Sequence, residues 1–244
     1  MDLTILGSGG GWSLPGGAAS GYLIRHEGFN LWVDAGTGTL ANLQQHVPIA
    51  DVDAVVISHR HFDHFVDLYP YYLARCYPVA DRMPTHPLLA PPGMFEHALL
   101  LEPDLTKAFD LRVVEPGTTF RAGPFEIRTA PMRHPVPTLG MRIVADGAAL
   151  AYSADTGPTD ALITLAQGAD VLLCEATWLA VPPTAEPFHM TPTEAGQQAA
   201  RAEAGRLILT HIWPTNDRQT TRHLAEAAFG GPVTVAEEGL RVEL

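Results

Sequence analysis

The chain has 244 residues, 46% apolar and 17% charged, with a net charge of −12 and a pI near 5.2. That composition supports a packed core and excludes a disordered chain. The acidity disfavours an extended nucleic-acid footprint, although 14 of the 15 basic residues are arginine and a local basic pocket stays open.

In chain order, the apolar run 3–6 ends at Gly7 and predicts a first strand. Residues 22–26 and 29–36 predict a hairpin that turns at Glu27-Gly28. A helix-like segment over 38–46 leads into a strand over 53–58. Residues 78–110 are proline-rich and weakly patterned, and read as a lid or an irregular cover. Further strands are predicted at 125–131, 140–146, 149–155, 170–176 and 206–212. Thr191 and Glu194 form a capping box, with Pro192 at the first helical position and Gly205 just past the end. A last helix covers 218–229, and strands at 233–236 and 240–243 follow. Without a repeat or linker, this predicts one α/β domain over 1–244, with two sheets and helices packed outside them. Cys76 and Cys174 make no CxxC pair, so neither a thiolate metal site nor a disulfide framework is expected. No signal-like segment and no apolar run of ~20 residues occurs, so a soluble cytoplasmic protein is expected.

The densest chemistry is "SHRHFDH", Ser58 to His64, directly after an apolar run. A strand continued through Ser58 would put His59 and His61 on one face, with Asp63 and His64 following as the chain turns. Imidazole and carboxylate suit zinc, and also manganese or iron. One segment cannot fill two coordination spheres. His134, Asp155 and His211 each follow an apolar run, and are the expected further ligands. Asp34 has the same placement and could orient a ligand histidine through its second nitrogen. His26, His46, His86, His97 and His223 lack such placement and are expected on the surface. "GSGGGW", Gly7 to Trp12, does not match G-x-G-x-x-G before a helix, so it reads as an active-site rim and not a dinucleotide fingerprint.

With "LGSGGG", "LWVDAG", "SHRHFDH", "RHPVPTLGMRI", "LAYSADTGP", "LCEATW", "HMTPTEAG" and "LILTHI", the chain resembles the metallo-β-lactamase superfamily along its whole length. The similarity is greatest to the branch of ribonuclease Z and the small metal-dependent phosphodiesterases. The resemblance implies a four-layer αβ/βα sandwich with two divalent ions at one edge. It implies His59, His61 and His134 on the first ion, Asp63, His64 and His211 on the second, and Asp155 bridging. Ala154 stands where this branch usually has glycine.

His189 lies just before the N-cap Thr191, where free backbone N–H groups and the helix dipole favour an anion. The resemblance implies that His189 and Glu175 assist phosphodiester cleavage. Asp63 is expected to accept the nucleophile's proton besides ligating. Ribonuclease Z normally carries a long glycine- and proline-rich arm between the positions matching His134 and Asp155. Here strand, turn and strand fill that interval. The expected substrate is therefore a small cyclic phosphodiester such as a cyclic nucleotide, without stable nucleic-acid or membrane binding. The alternatives are a ribonuclease Z-like endonuclease and a lactonase or thioesterase on the same metals. The resemblance also allows a homodimer, with no segment that identifies the interface.

Overall fold

The computed structural model describes residues 1–13, 15–77, 83–184 and 186–244. The first half runs β1 (Asp2–Gly7), β2 (Gly21–His26), β3 (Phe29–Ala35), α1 (Thr39–Leu43), β4 (Ala54–Val56) and α2 (Phe62–Phe65). It continues with α3 (Leu68–Cys76), β5 (His86–Ala90), α4 (Met94–Leu101) and β6 (Phe109–Val113). The second half runs β7 (Thr119–Ala122), β8 (Phe125–Pro131), β9 (Leu139–Ala145), β10 (Ala148–Tyr152), α5 (Asp160–Ala166) and β11 (Val171–Glu175). It ends with α6 (Pro192–Arg201), β12 (Leu207–Thr210), α7 (Arg218–Phe229), β13 (Val233–Val235) and β14 (Arg241–Glu243).

Among the described residues these strands form two seven-stranded sheets, ordered β14-β1-β2-β3-β4-β5-β6 and β13-β12-β11-β10-β9-β8-β7. Their inner faces share one core, in which Leu3, Ile5, Tyr22 and Val33 meet Ile127, Met141, Leu173 and Ile208. The outer face of the first sheet packs Trp32, Val55 and Leu88 on Leu43, Tyr71 and Phe95 of α1, α3 and α4. The second sheet packs Leu172 and Leu209 on Leu162, Ala195 and Ala225 of α5, α6 and α7. Helices cover both outer faces, which gives the expected four layers. Strands β10, β11 and β12 run parallel and are buried on both faces, so they read as continuous apolar runs.

Local chemistry accounts for the turns. The β2–β3 hairpin turns on Glu27 and Gly28 at φ 48° and 80°, and β9–β10 on Asp146 and Gly147 at φ 49° and 83°. Two consecutive positive φ angles match the twist of paired strands. The Thr191–Glu194 capping box forms, with Pro192 at the helix start. The helix stops at Arg201, and Glu203 at φ 52° reverses the chain before Gly205.

Three sequence expectations need correction. Residues 78–82 lie outside the described residues, but the rest of the presumed lid is β5, α4 and the start of β6. Strand β5 lies between β4 and β6 as a parallel strand, and Pro87 within it had obscured the pattern. His86, expected on the surface, is buried in that strand and stacks on Phe109 at 5.3 Å. The strand before the histidine cluster ends at Val56, so period-two alternation does not place His59 and His61. Ser58 leaves the ladder because its N–H donates to Asp34 at 2.6 Å and its carbonyl accepts from Leu139 of the other sheet at 3.0 Å.

Gly36 seats the turn that follows. A Cβ there would lie 2.0 Å from the Asp63 carbonyl oxygen, far inside contact distance. Gly36→Ala is expected to destabilise by about 1–3 kcal/mol, as overpacking does. For a chain of this size each kcal/mol lowers Tm by roughly 2–4 °C. Thermal unfolding followed by circular dichroism measures it, and an unchanged Tm would refute the close approach.

Candidate metal centre

Strand direction brings the predicted ligands together. Strands β3 and β4 are parallel, as are β10, β11 and β12. β8 shares the direction of β10 through their common antiparallel neighbour β9. The C-terminal ends of all these strands therefore open on one edge, the usual place for a site between α/β layers. From that edge come Asp34 after β3, residues 58–64 after β4, His134 after β8, Asp155 after β10, Glu175 at the end of β11 and His211 after β12. His61 caps α2, and Asp63 and His64 lie on it.

Among the described residues three overlapping groups of donor atoms meet at this edge, the third being Asp155, His189 and His211. Ring nitrogens of His59, His61 and His134 converge with Asp155. His59 Nε2 and His134 Nε2 lie 3.1 and 3.0 Å from His61 Nδ1, and 3.5 and 3.8 Å from Asp155 Oδ2. Asp63, His64 and His211 form the second group. His211 Nε2 is 3.2 Å from Asp63 and 3.4 Å from Asp155, and His64 Nε2 is 3.2 Å from Asp155 and 3.7 Å from Asp63. All seven residues named as ligands from the sequence come together here, and Asp155 borders both the first and the second group.

The donor set fits divalent cations. A tetrahedral ion with bonds of ~2.0–2.1 Å needs ligand separations of about 3.3–3.4 Å. The observed separations straddle that value. His64 Nε2 and Asp155 Oδ1 are buried and face each other, yet neither has a hydrogen-bond partner. Buried polar atoms rarely stay unsatisfied, and a cation between them would satisfy both.

Electrostatics agree. Burial lowers the pKa of His59 and His61, and lowers that of His134 to about 4, so these rings are neutral and can donate lone pairs. Burial works against charge on His64 as well, but Asp155, Asp63 and Asp34 outweigh it and raise its pKa. Burial would raise Asp63 and Asp155, yet the surrounding histidines hold both well below the usual carboxylate range. Without a cation, His64 is the counter-charge to the carboxylates.

A further ring of contacts sets the tautomers. His134 Nδ1 donates to the Phe188 carbonyl at 3.2 Å, which leaves Nε2 free toward the cluster. His64 Nδ1 donates to Asp34 at 2.8 Å, as expected. Asp34 also accepts from the Ser58 hydroxyl at 2.8 Å and from Tyr152 at 2.7 Å, and so ties both sheets together beneath the cluster. Asp34→Ala is expected to weaken metal affinity by roughly 10–100-fold, the usual effect of losing such support. Metal titration in the presence of a competing chelator measures this, and full affinity would show that His64 needs no orienting carboxylate.

Sequence reasoning missed Thr177, and named Gly10 and Gly11 only as part of a rim. The Thr177 hydroxyl lies 2.8 Å from His211 Nδ1 and 2.7 Å from Glu175 Oε2, joining a ligand histidine to a buried carboxylate. Its only signal was its place in "CEATW". Gly11 N–H donates to Asp63 at 2.8 Å, and a Cβ on Gly10 would stand 2.9 Å from His211 Nδ1. The glycine run is thus the expected rim, and lets backbone approach two ligands. Asp34, Ala154 and His211 adopt φ of 56°, 50° and 48° at this edge. That left-handed conformation costs an alanine roughly 1–2 kcal/mol, which explains why glycine would suit position 154.

Beside the metal groups, His189 Nδ1 donates to Glu175 Oε1 at 3.0 Å, and its ring stacks on His211 at 5.6 Å. Burial lowers its pKa, but Glu175 more than compensates and raises it to about 9. Glu175 is fully buried and held by the N–H groups of Thr156 and Met190 at 2.5 and 3.0 Å.

The model of the β-lactamase superfamily domain matches residues 30–212. An uncharacterized protein of Mycobacterium leprae is 36% identical, covering 98% of this chain and 87% of that one. The probable metallo-hydrolase YhfI of Bacillus subtilis is 32% identical over 98% of both chains. The crystal structure of YhfI, a metallo-β-lactamase fold protein, superposes with a TM-score of 0.91 over 99% of each chain at 31% identity. A ribonuclease Z of Mycobacterium bovis is 30% identical, covering 100% of this chain and 98% of that one. Ligand types, their convergence at one sheet edge and these relatives agree, and the chain belongs to the metallo-β-lactamase superfamily as a metal-dependent hydrolase.

Proposed function

We propose that the protein hydrolyses a small cyclic phosphodiester such as a cyclic nucleotide. His59, His61 and His134 would hold one divalent ion, Asp63, His64 and His211 a second, and Asp155 would serve both. Zinc suits this donor set best, and manganese or iron also suit it. Two such ions would acidify a water and neutralise charge on phosphoryl oxygens. Asp63 accepts the proton of the attacking water. His189, protonated at neutral pH and oriented by Glu175, protonates the departing oxygen.

The observation that carries this reading is the His189–Glu175 pair at 3.0 Å beside the ligand cluster. Opening a thioester expels a thiolate and needs no such donor to the same degree, whereas an alkoxide leaving phosphorus does. The interval between His134 and Asp155 holds only the β9–β10 hairpin. The alignment with the M. bovis ribonuclease Z spans 281 positions, more than this chain's 244 residues, so that relative carries segments absent here. Both facts favour a small substrate over transfer RNA.

The test is metal analysis of the purified protein, followed by a panel of 3′,5′- and 2′,3′-cyclic nucleotides, bis(p-nitrophenyl) phosphate, a lactone and pre-tRNA. Turnover of cyclic phosphodiesters ahead of the others is expected. Efficient pre-tRNA cleavage without cyclic-nucleotide turnover would replace this reading with the endonuclease.

A further inference from the structure

We infer that Trp12 and Trp213 form a stacking platform beside the metal cluster for the base of a nucleotide substrate. The inference rests on the phosphodiesterase reading and narrows it, because a base-free cyclic phosphate would not use such a platform.

The two indoles touch, with ring centroids 5.7 Å apart and planes tilted by 53°. They remain 46% and 37% exposed, whereas Trp32 and Trp178 are buried. Two adjacent exposed tryptophans leave a large apolar, π-rich surface in water that the fold does not cover.

Their position ties them to the chemistry. Trp213 lies two residues after His211, and Trp12 follows Gly11, whose N–H holds Asp63 at 2.8 Å. A Cβ on Gly11 would lie 3.8 Å from Trp213 Nε1, so the indole edge borders the residue that holds Asp63. Backbone bonds fasten the two segments: Gly10 N donates to the Ile212 carbonyl at 3.0 Å, and Trp12 N to the Gly10 carbonyl at 2.9 Å. The backbone that carries both indoles is therefore fixed relative to the candidate ligands.

Room for a base exists next to it. Trp213, though not Trp12, walls a cavity of about 500 Å³ together with Ser8, Asn216, Arg218, Glu237 and Glu238. That volume lies within the usual range for small-molecule sites. Every nucleobase has a π-face that stacks on an aromatic ring, so a platform of this kind recognises a base without reading its edge.

The test compares Trp12→Ala, Trp213→Ala and the double variant with the wild type on two substrates, a cyclic nucleotide and glycerol cyclic phosphate. The ratio of kcat/KM for the nucleotide over the base-free ester is expected to fall about tenfold or more, mainly through KM. Trp213→Phe should restore most of the ratio. Titration of the metal-loaded wild type with adenosine monophosphate should quench tryptophan fluorescence, and the double variant should not respond. Equal losses on both substrates, or quenching that survives the double substitution, would overturn the platform. Wild-type turnover of the glycerol ester without nucleotide turnover or quenching would also overturn it while leaving the phosphodiesterase reading intact. Turnover of neither ester would remove both.

Discussion

Asp155→Ala is expected to lower kcat/KM by roughly 10³-fold or more. The reason is geometric. Asp155 Oδ2 lies 3.5 Å from His59 and 3.4 Å from His211, so this one carboxylate borders both donor groups. Its loss would leave each donor group with a weaker set for a cation and remove a negative charge that borders both. A bound metal supplies several kcal/mol of charge stabilisation, and each ~1.4 kcal/mol is worth tenfold in rate. Metal content should fall with activity. The measurement pairs elemental analysis with hydrolysis of bis(p-nitrophenyl) phosphate. A variant that retains both metal and rate would exclude a shared ligand. Far-UV circular dichroism separates this from misfolding. Asp155→Asn, which keeps the shape and drops the charge, should resemble alanine in rate.

His189→Ala should cost about 10²–10⁴-fold, the usual contribution of a positioned general acid. The loss should depend on the leaving group. A cyclic nucleotide expels an alkoxide, which needs a proton. A p-nitrophenolate does not, so bis(p-nitrophenyl) phosphate should lose far less. Metal content should stay at the wild-type level if His189, whose Nδ1 is engaged by Glu175, acts as the acid and not as a ligand through Nε2. Glu175→Gln keeps a hydrogen-bond acceptor but drops the charge that raises the histidine pKa, and should show an intermediate loss. Equal losses on both leaving groups would assign His189 to substrate binding or to ligation, which would show as lost metal. This variant also discriminates against a thioesterase, since a departing thiolate needs no proton and thioester hydrolysis should tolerate it.

Much of the site was legible before any coordinates. Metal-ligating residues at the ends of apolar runs are a strong signal, and "SHRHFDH", His134, Asp155 and His211 all carried it. What was not legible was how they meet. His59 and His61 were expected on a continued strand, yet Ser58 binds Asp34 and Leu139 and takes the chain out of the ladder. The supporting residues were mostly silent. Thr177 and Tyr152 are ordinary strand-end residues until the fold places their hydroxyls against His211 and Asp34. Gly10 and Gly11 read as a rim, and only the fold shows that one would clash with His211 and the other holds Asp63.

The fold divides in the same way. Periodicity and turn residues located most strands, because each depends on neighbours a few positions away. Segment 83–110 resisted, since Pro87 interrupts the apolar pattern of a strand that β4 and β6 stabilise from outside. His86 went the same way, buried against Phe109 by a strand pairing that its own neighbours do not announce. By itself, then, the sequence determined the candidate metal-ligating residues at strand ends, the capped helix after His189 and the two-sheet class, all of them local or residue-type properties. The tertiary structure alone decided the contacts of Thr177 and Tyr152, the path of the chain through Ser58 and the juxtaposition of Trp12 with Trp213. Those depend on atoms from distant segments meeting within a few ångströms, and no window of sequence encodes that distance.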